Sequence, residues 1–211
     1  MISATTFIAL AMQCAATVHP DTAMDVVRVE SGFNPYAIAE IIPKDLRKKN
    51  GKSVITYLPS NKAEALSIVK SIESKKRRYS VGLMQITSSN FKKFNVNAEK
   101  LFNPCINLAV FEKIITDCYI RGETLKNALS CYYSGNFITG NKKESEFNQT
   151  SYVERIGYLD SPGKKYIVPS TKEDKGDVKK EEVGEKGKAS NEPTIIYPSR
   201  LIRGDLQLSK T

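Results

Sequence analysis

The sequence of 211 residues contains no tryptophan, one histidine and four cysteines. Because His19 is the only imidazole, a zinc site built from several histidines and a Ser-His-Asp hydrolase are both disfavoured. Four cysteines are too few to staple a disulfide-dense miniprotein, but they allow two bridges. No apolar run reaches the roughly 18 residues of an ordinary membrane span, so we expect no stable membrane insertion. No residue cluster suggests a metal or an organic cofactor.

The composition combines a foldable body with an excess of basic charge. Hydrophobic residues make up 40% of the chain, which supports a core, and the length favours one domain plus a tail. The chain carries 32 basic and 23 acidic side chains, a net charge of +9. A basic surface suits nucleic acid, anionic lipid or an acidic polymer such as a bacterial cell wall. No zinc-finger spacing, RNP-like motif or long basic helix is present, so we expect no nucleic-acid partner.

The sequence divides near residue 160. Residues 1–160 hold 21 basic and 15 acidic side chains, and residues 161–211 hold 11 and 8, so most of the basic excess lies in the first part. Residues 170–193 are rich in Lys, Glu, Asp, Gly and Ser, a composition that cannot bury enough surface to fold. We therefore predict a folded domain over 1–160 and a low-complexity, disordered basic tail over 161–211. The apolar segment 194–202 within it is either a docking peptide or only a sticky end.

Residues 5–18 are almost wholly apolar and allow two interpretations. They could be the core of a signal peptide, but no Lys or Arg precedes them, whereas signal peptides begin with positive charge. The interpretation favoured here is a first helix that buries Phe7, Ala11, Cys14 and Val18. An export signal would then be missing from this sequence.

Apolar periodicity predicts mainly helical structure beyond that point. A second helix beginning near Asp21 or Thr22 would end at Gly32, and further helices follow Asn61, Ser88 or Ser89, Pro104, Thr124 and Ser151. Residues 40–60 are expected to be irregular apart from a short strand over 53–58, and residues 80–86 are expected to form an apolar loop. The predicted fold class is thus mainly α, or α+β at most, with a small strand element.

Glu30 is the most informative single residue. It continues the apolar stripe formed by Ala23, Val26 and Val27, and it lies at the C-terminal end of its helix. Burial and the helix dipole both disfavour a negative charge there, so we expect a raised pKa for its carboxyl. A carboxylic acid that keeps its proton near neutral pH can serve as a general acid. The alternative from spacing alone is a glutamate at the edge of the stripe that reaches into water.

Three sequence blocks favour the interpretation of Glu30 as a general acid over that of a solvated glutamate. They are Glu30-Ser-Gly-Phe-Asn-Pro35, Ser80-Val-Gly-Leu-Met-Gln-Ile86 and Ala128-Leu-Ser-Cys-Tyr-Tyr-Ser-Gly-Asn136. In this order they resemble the lytic transglycosylases of the lysozyme-like superfamily, and more narrowly the small transglycosylases that accompany type IV secretion systems. The resemblance covers roughly residues 7–158. It implies a lysozyme-like helical domain.

The resemblance also implies roles for individual residues. Glu30 would act as the single catalytic acid and then as the base. The implied substrate-binding residues are Ser80, Gly82, Met84, Gln85, Tyr132 and Tyr152. Among them, Ser80 and Gln85 would hydrogen-bond the sugars, Gly82 would let the backbone approach the glycan, and Tyr152 would help to hold the Glu30 carboxyl. Many relatives have Tyr-Asn where this chain has Tyr132-Tyr133, so the role of Tyr133 stays open. On an apolar stripe, core packing is the usual role of a residue such as Tyr132.

The implied reaction is cleavage of the bond between N-acetylmuramic acid and N-acetylglucosamine with an anhydro-muramyl product. Such an enzyme would open the wall locally for assembly of a type IV secretion system, in the periplasm, with secretion components as partners and the tail as a candidate contact to them. Four cysteines allow three pairings, and sequence alone does not choose among them. Similar positions in the relatives imply Cys14–Cys105 and Cys118–Cys131. The main alternative is a non-enzymatic glycan-binding and assembly factor.

Overall fold

The structure, a computed structural model, describes residues 1–47 and 52–158. The predicted domain boundary at residue 160 and the predicted disordered tail lie outside these residues. Eight α-helices are present in the described ranges: α1 Ala4–Cys14, α2 Pro20–Glu30, α3 Lys62–Ser74, α4 Phe91–Phe94, α5 Ala98–Leu101, α6 Pro104–Gly122, α7 Leu125–Ser134 and α8 Tyr152–Arg155. Four short strands accompany them: β1 Ile38–Ile41, β2 Val54–Tyr57, β3 Tyr79–Val81 and β4 Ile86–Thr87.

The apolar segment near the N-terminus forms α1. The Ser3 hydroxyl caps this helix by accepting a hydrogen bond from the Thr6 amide. Phe7 and Ala11 are completely buried, and Cys14 is nearly so, which places one face of α1 in the core against α6. The interpretation of this segment as a helix is therefore confirmed.

Most of the other predicted helix starts are confirmed by their caps. The side chains of Asn61 and Thr124 accept amide hydrogen bonds at the starts of α3 and α7. Ser151 and Glu154 form a capping box at α8. The start of α2 differs slightly from the prediction. It begins at Pro20, since the His19 side chain accepts from the Asp21 amide and proline is suited to the first helical position.

A four-stranded antiparallel sheet stands between the helices. Its strand order is β2-β1-β3-β4, with Ala39 of β1 opposite Thr56 of β2 and Ser80 of β3. The fold is therefore α+β, as predicted, but two details of the prediction are wrong. The second half of β1 lies in the stretch 40–60, where irregular structure was expected outside residues 53–58, and β3 with the start of β4 occupies part of the expected loop over 80–86. Strands of two to four residues are too short to show a clear alternation of polar and apolar side chains.

Two disulfides connect the helices. Cys14 of α1 is bonded to Cys105 of α6, and Cys118 of α6 is bonded to Cys131 of α7. The pairing implied by the sequence resemblance is thus confirmed. The first bridge fixes the N-terminal helix to the longest helix, and the second joins two sequential helices at one end of the core. Over the described ranges, we find no helix whose length and apolar character would let it span a bilayer.

Candidate active site

Glu30 is the last residue of α2 and is almost completely buried. The residues that precede it on the same face, Ala23, Val26 and Val27, are inaccessible to solvent, and Glu30 itself is 1% exposed. Its Oε1 atom accepts a hydrogen bond of 2.6 Å from the hydroxyl of Tyr152. The stripe that contained Glu30 in the sequence is therefore a core-facing stripe, and the carboxyl is not a solvated edge group.

A second aromatic ring covers Tyr152. The rings of Tyr133 and Tyr152 are stacked, with centroids 4.4 Å apart and planes inclined by 18°. The Tyr133 hydroxyl donates to Oε1 of Glu144 over 2.6 Å, and Nη2 of Arg155 lies 2.8 Å from Oε2 of the same carboxylate. Charge-assisted hydrogen bonds of this kind are strong and directional. They fix the ring that holds Tyr152 against Glu30.

An open groove of about 620 Å³ runs between the sheet and the α6–α7 pair. On the sheet side it is lined by Ala39, Ile41, Ser80 and Thr87, and on the helix side by Ile114, Cys118, Tyr132 and Tyr133. Glu30 and Tyr152 are not on its surface. Tyr133, which lines the groove, stacks on Tyr152, and Tyr152 in turn donates its hydrogen bond to Glu30, so these two tyrosines link the groove to the buried carboxyl.

Two of the sequence-predicted binding residues face this groove. Ser80 lies in β3, and its hydroxyl is within 2.9 Å of the Thr87 hydroxyl on β4, which also lines the groove. Tyr132 packs edge-on against Phe111 at 5.1 Å, and its hydroxyl donates to the Met84 carbonyl. Tyr132 therefore belongs both to the groove wall and to the core. The first position agrees with the substrate-binding role implied by the resemblance, and the second agrees with core packing, the usual role of a residue on an apolar stripe.

Gly82 and Met84 lie in the interior and do not line the groove. Gly82 has a φ of +81°, and a Cβ placed there would lie 2.1 Å from Asn107 Nδ2 and 2.7 Å from the Leu101 carbonyl oxygen. Position 82 thus requires glycine because Leu101 of α5 and Asn107 of α6 lie so close to its backbone that a side chain would not fit. Met84 is completely buried, and its amide donates to Asn107 Oδ1 over 2.8 Å. Asn107 organises this turn, and sequence analysis had not singled it out.

Gln85 is also directed inward. It has a φ of +50°, and its Nε2 donates to the carbonyls of Ala37 and Gly82 over 3.0 and 2.9 Å. These bonds join the turn between β3 and β4 to the residue before β1. Gln85 therefore holds the turn that follows the strand carrying Ser80, and its amide nitrogen is already engaged within the protein.

Glu40, on β1, is a second buried carboxylate in addition to Glu30. Its side chain is inaccessible to solvent, and it accepts from Arg77 Nη1 at 2.5 Å and from the Tyr57 hydroxyl at 2.7 Å. Ala39 and Ile41, its neighbours on β1, line the groove. Because side chains alternate between the two faces of a strand, Glu40 lies on the face away from the groove. It is a paired structural carboxylate in a different environment from Glu30.

The residues that connect the groove with Glu30 were only partly visible in the sequence. Tyr152 was singled out, whereas Glu144 was not, and Tyr133 was noted only as a departure from the related sequences. Arg155 had one signal, its position in the Tyr-Val-x-Arg stretch beside Tyr152. Within the two described ranges, no group of three or more His, Cys, Asp and Glu side chains is arranged to hold a metal ion.

The domain is lysozyme-like. It has a buried glutamate at a helix end, a small antiparallel sheet, and a groove between that sheet and two helices. The comparison with protein families agrees with this class. The family described as "Transglycosylase SLT domain" matches residues 7–154, and the chain belongs to this family. No solved structure gives a significant match.

Two bacterial proteins named virB1 are among the similar sequences. "Type IV secretion system protein virB1" of Brucella abortus is 36% identical over 159 residues, which cover 71% of this chain and 62% of that protein. "Protein virB1" of Agrobacterium fabrum is 30% identical over 137 residues, which cover 62% of this chain and 52% of that protein. The chain therefore spans a little more than half of the length of these relatives.

Proposed function

We propose that this protein is a peptidoglycan lytic transglycosylase that uses Glu30 as its only acid–base residue. The observation that carries the proposal is the position of this carboxyl: it is 1% exposed, it accepts a hydrogen bond from Tyr152, and Tyr152 stacks on Tyr133, which lines the groove. Burial favours the neutral carboxylic acid, which is the form that can donate a proton. Membership of the transglycosylase family supports the same chemistry.

The proposed reaction returns the proton to its source. The Glu30 carboxylic acid protonates the oxygen that bridges N-acetylmuramic acid and N-acetylglucosamine, and the bond from that oxygen to the muramic anomeric carbon breaks. The acetamido group of the same muramic acid stabilises the positive centre, as in substrate-assisted glycosidases. The Glu30 carboxylate then accepts the proton of the muramic primary hydroxyl, whose oxygen bonds to the anomeric carbon and closes the anhydro ring.

The proposed reaction needs only one carboxylate, and two other carboxylates, Glu40 and Glu144, are both paired with arginines. Glu40 is paired with Arg77 and faces away from the groove, and Glu144 is paired with Arg155. A retaining glycosidase would need a second carboxyl about 5 Å from the first. For proton transfer, the bridging oxygen must come within about 3 Å of the Glu30 carboxyl. Because Glu30 is 1% exposed, binding of the glycan must be accompanied by a local rearrangement that opens access to this carboxyl.

The cellular role that we propose is local opening of the cell wall for a type IV secretion system, in the periplasm. It is supported by the name of the relative from Brucella abortus, a type IV secretion system protein. The basic charge of the chain, +9 overall, suits association with an acidic wall polymer. Two disulfides within the described residues are compatible with an oxidising compartment outside the cytoplasm.

The products distinguish this proposal from hydrolysis. Purified peptidoglycan is incubated with the protein in water enriched in heavy oxygen, and the soluble fragments are analysed by mass spectrometry. We expect anhydro-muramyl ends that are lighter than a reducing end by one water and carry no heavy oxygen from the solvent. Reducing ends that contain heavy oxygen would instead identify a lysozyme-type hydrolase.

A further inference from the structure

The groove carries six charged side chains, four basic and two acidic: Arg47, Arg78, Lys93, Arg121, Asp117 and Glu144. Both acidic groups are already neutralised. Oδ2 of Asp117 lies 2.9 Å from Nη2 of Arg121, one turn away on α6, and Glu144 pairs with Arg155 behind the groove wall. The basic side chains Arg47, Arg78 and Lys93 therefore account for the net charge of the groove.

These three cations, called the basic wall below, have no acidic partner within residues 1–47 and 52–158. Nε of Arg47 donates to the Ile42 carbonyl over 2.9 Å, which orients the guanidinium without neutralising it. The ammonium of Lys93 lies 5.3 Å from the centre of the neighbouring Phe94 ring. Arg78 and Lys93 are exposed, and Arg47 is half-buried. Three cations on one concave surface attract an anionic ligand.

Arg78 places this charge beside the predicted sugar-binding residue Ser80. Its carbonyl accepts a hydrogen bond of 2.9 Å from the Ile41 amide, which extends the β1–β3 ladder by one residue. Residues two apart on an extended strand point to the same face, so Arg78 and Ser80 face the groove together. A glycan that contacts Ser80 would bring its substituents close to Arg78.

We propose that the basic wall binds the carboxylates of the peptide stems attached to the glycan, so that the groove selects stem-bearing strands. The sugar backbone is uncharged when its lactyl groups are amidated by peptide, and the remaining fixed negative charges are the carboxylates of the stems. The inference rests on the proposed function in one respect, that peptidoglycan is the substrate. It adds that the groove binds strands with charged stems more tightly than an uncharged glycan or a stem-free strand.

The test measures binding to the Glu30→Gln protein, which keeps the ligand intact. The ligands are soluble tetrasaccharide fragments of peptidoglycan in three forms: with intact stems, with the stem carboxylates converted to amides, and without stems, so that only the lactyl acids remain. We expect the intact form to bind about tenfold more tightly than the other two, as charge contacts to two exposed side chains and one half-buried side chain can provide. Raising the salt concentration should reduce this preference.

Variants assign the preference to the basic wall. Adding Arg47→Gln, Arg78→Gln and Lys93→Gln together should remove the tenfold preference, whereas the matched change Lys70→Gln, Lys75→Gln and Lys113→Gln, on exposed residues outside the groove lining, should leave it intact. Equal binding of the intact and amidated forms would overturn the inference. Equal binding of the intact and stem-free forms would also overturn it, because the lactyl acids would then be the recognised groups.

Two further outcomes separate stem recognition from general polyanion binding and from the proposed reaction. If a short DNA duplex displaces the fragments from the unaltered groove as effectively as a stem-bearing fragment does, the basic wall is a general polyanion site and the inference fails. The products of the wild-type protein test the proposed function separately. Stem-dependent binding without anhydro products would refute the proposed reaction alone, and anhydro products with no stem preference would refute the basic wall alone.

Discussion

The hydroxyl of Tyr152 donates a hydrogen bond of 2.6 Å to Oε1 of Glu30, across 122 positions of sequence. This contact joins the first residue of α8 to the last residue of α2. Tyr152 has little freedom to leave it, because it is 1% exposed and stacks on Tyr133. The phenol thus fixes the orientation of the carboxyl that we assign to proton transfer.

Replacing Tyr152 by Phe should slow catalysis while leaving the fold in place. The change removes one hydrogen bond to a buried carboxyl, worth about 1–3 kcal/mol, and keeps the stacked ring. Because the lost interaction orients the acid, we expect kcat to fall about 10- to 100-fold with little change in KM. Steady-state release of muropeptides from purified peptidoglycan gives both constants. The exposed Tyr119→Phe serves as the control and should retain full activity. A KM effect without a kcat effect would show that Tyr152 binds substrate instead.

Glu40→Gln should affect stability but not chemistry. The substitution leaves the Arg77 guanidinium without its carboxylate, and Arg77 is mostly buried, with 23% of its side chain exposed. Loss of one partner of a buried pair is costly, so we expect the free energy of unfolding in urea to fall by about 2–3 kcal/mol. Activity per folded molecule should stay close to that of the wild type, since Glu40 faces away from the groove. A loss of activity in fully folded protein would instead identify Glu40 as a second catalytic carboxylate.

The two disulfides should contribute unequally to stability. The pair Cys14–Cys105 closes a separation of 91 residues and Cys118–Cys131 one of 13 residues. The loop-closure relation gives about 4–5 kcal/mol for the first bridge and about 3 kcal/mol for the second. We therefore expect the Cys14→Ser, Cys105→Ser variant to show the larger drop in Tm in thermal unfolding. An equal or smaller drop would mean that unfolded-chain entropy does not govern these bridges.

Stability should decrease in alkaline solution through Tyr57. Burial, assisted by the hydrogen bond to Glu40, raises the pKa of Tyr57 to about 12. The unfolded chain releases this proton near pH 10, so the free energy of unfolding should be unaffected below about pH 10 and should fall as the pH rises toward 12. Urea titrations at about pH 9 and 11 measure the effect. Tyr57→Phe should show a smaller fall between the two pH values, and an identical fall would contradict this assignment.

The helices could be predicted because they carry long periodic patterns and explicit caps. Asn61 and Thr124 mark helix starts in the sequence, and their side chains make the expected hydrogen bonds. The sheet was harder, since β4 has only two residues and β1 only four. The position of β1 depends on pairing with β2 and β3, and short local sequences do not encode such long-range partners.

The candidate site likewise contains features that the sequence predicted and contacts that only the tertiary packing creates. The apolar stripe before Glu30 predicted its burial, which the structure confirms. The glycine at position 82 was expected to admit a glycan, but its missing Cβ makes room for Asn107 and the Leu101 carbonyl. Nothing in the local sequence indicates that α5 and α6 approach that turn. Tyr133 likewise gains its position over Tyr152 only from the packing of α7 against α8.

The activity of Glu30→Gln decides whether this carboxyl is the acid and base of the reaction. Glutamine keeps the size of the side chain and can still accept from Tyr152, so the variant should fold, which circular dichroism and thermal unfolding would check. We predict that release of anhydro-muropeptides from purified peptidoglycan falls by at least about 10³-fold, because no other group would donate and accept the proton. The exposed Glu99→Gln should keep wild-type activity. Release of anhydro-muropeptides by folded Glu30→Gln at a rate near that of the wild type would contradict the assignment of Glu30 as the acid and base.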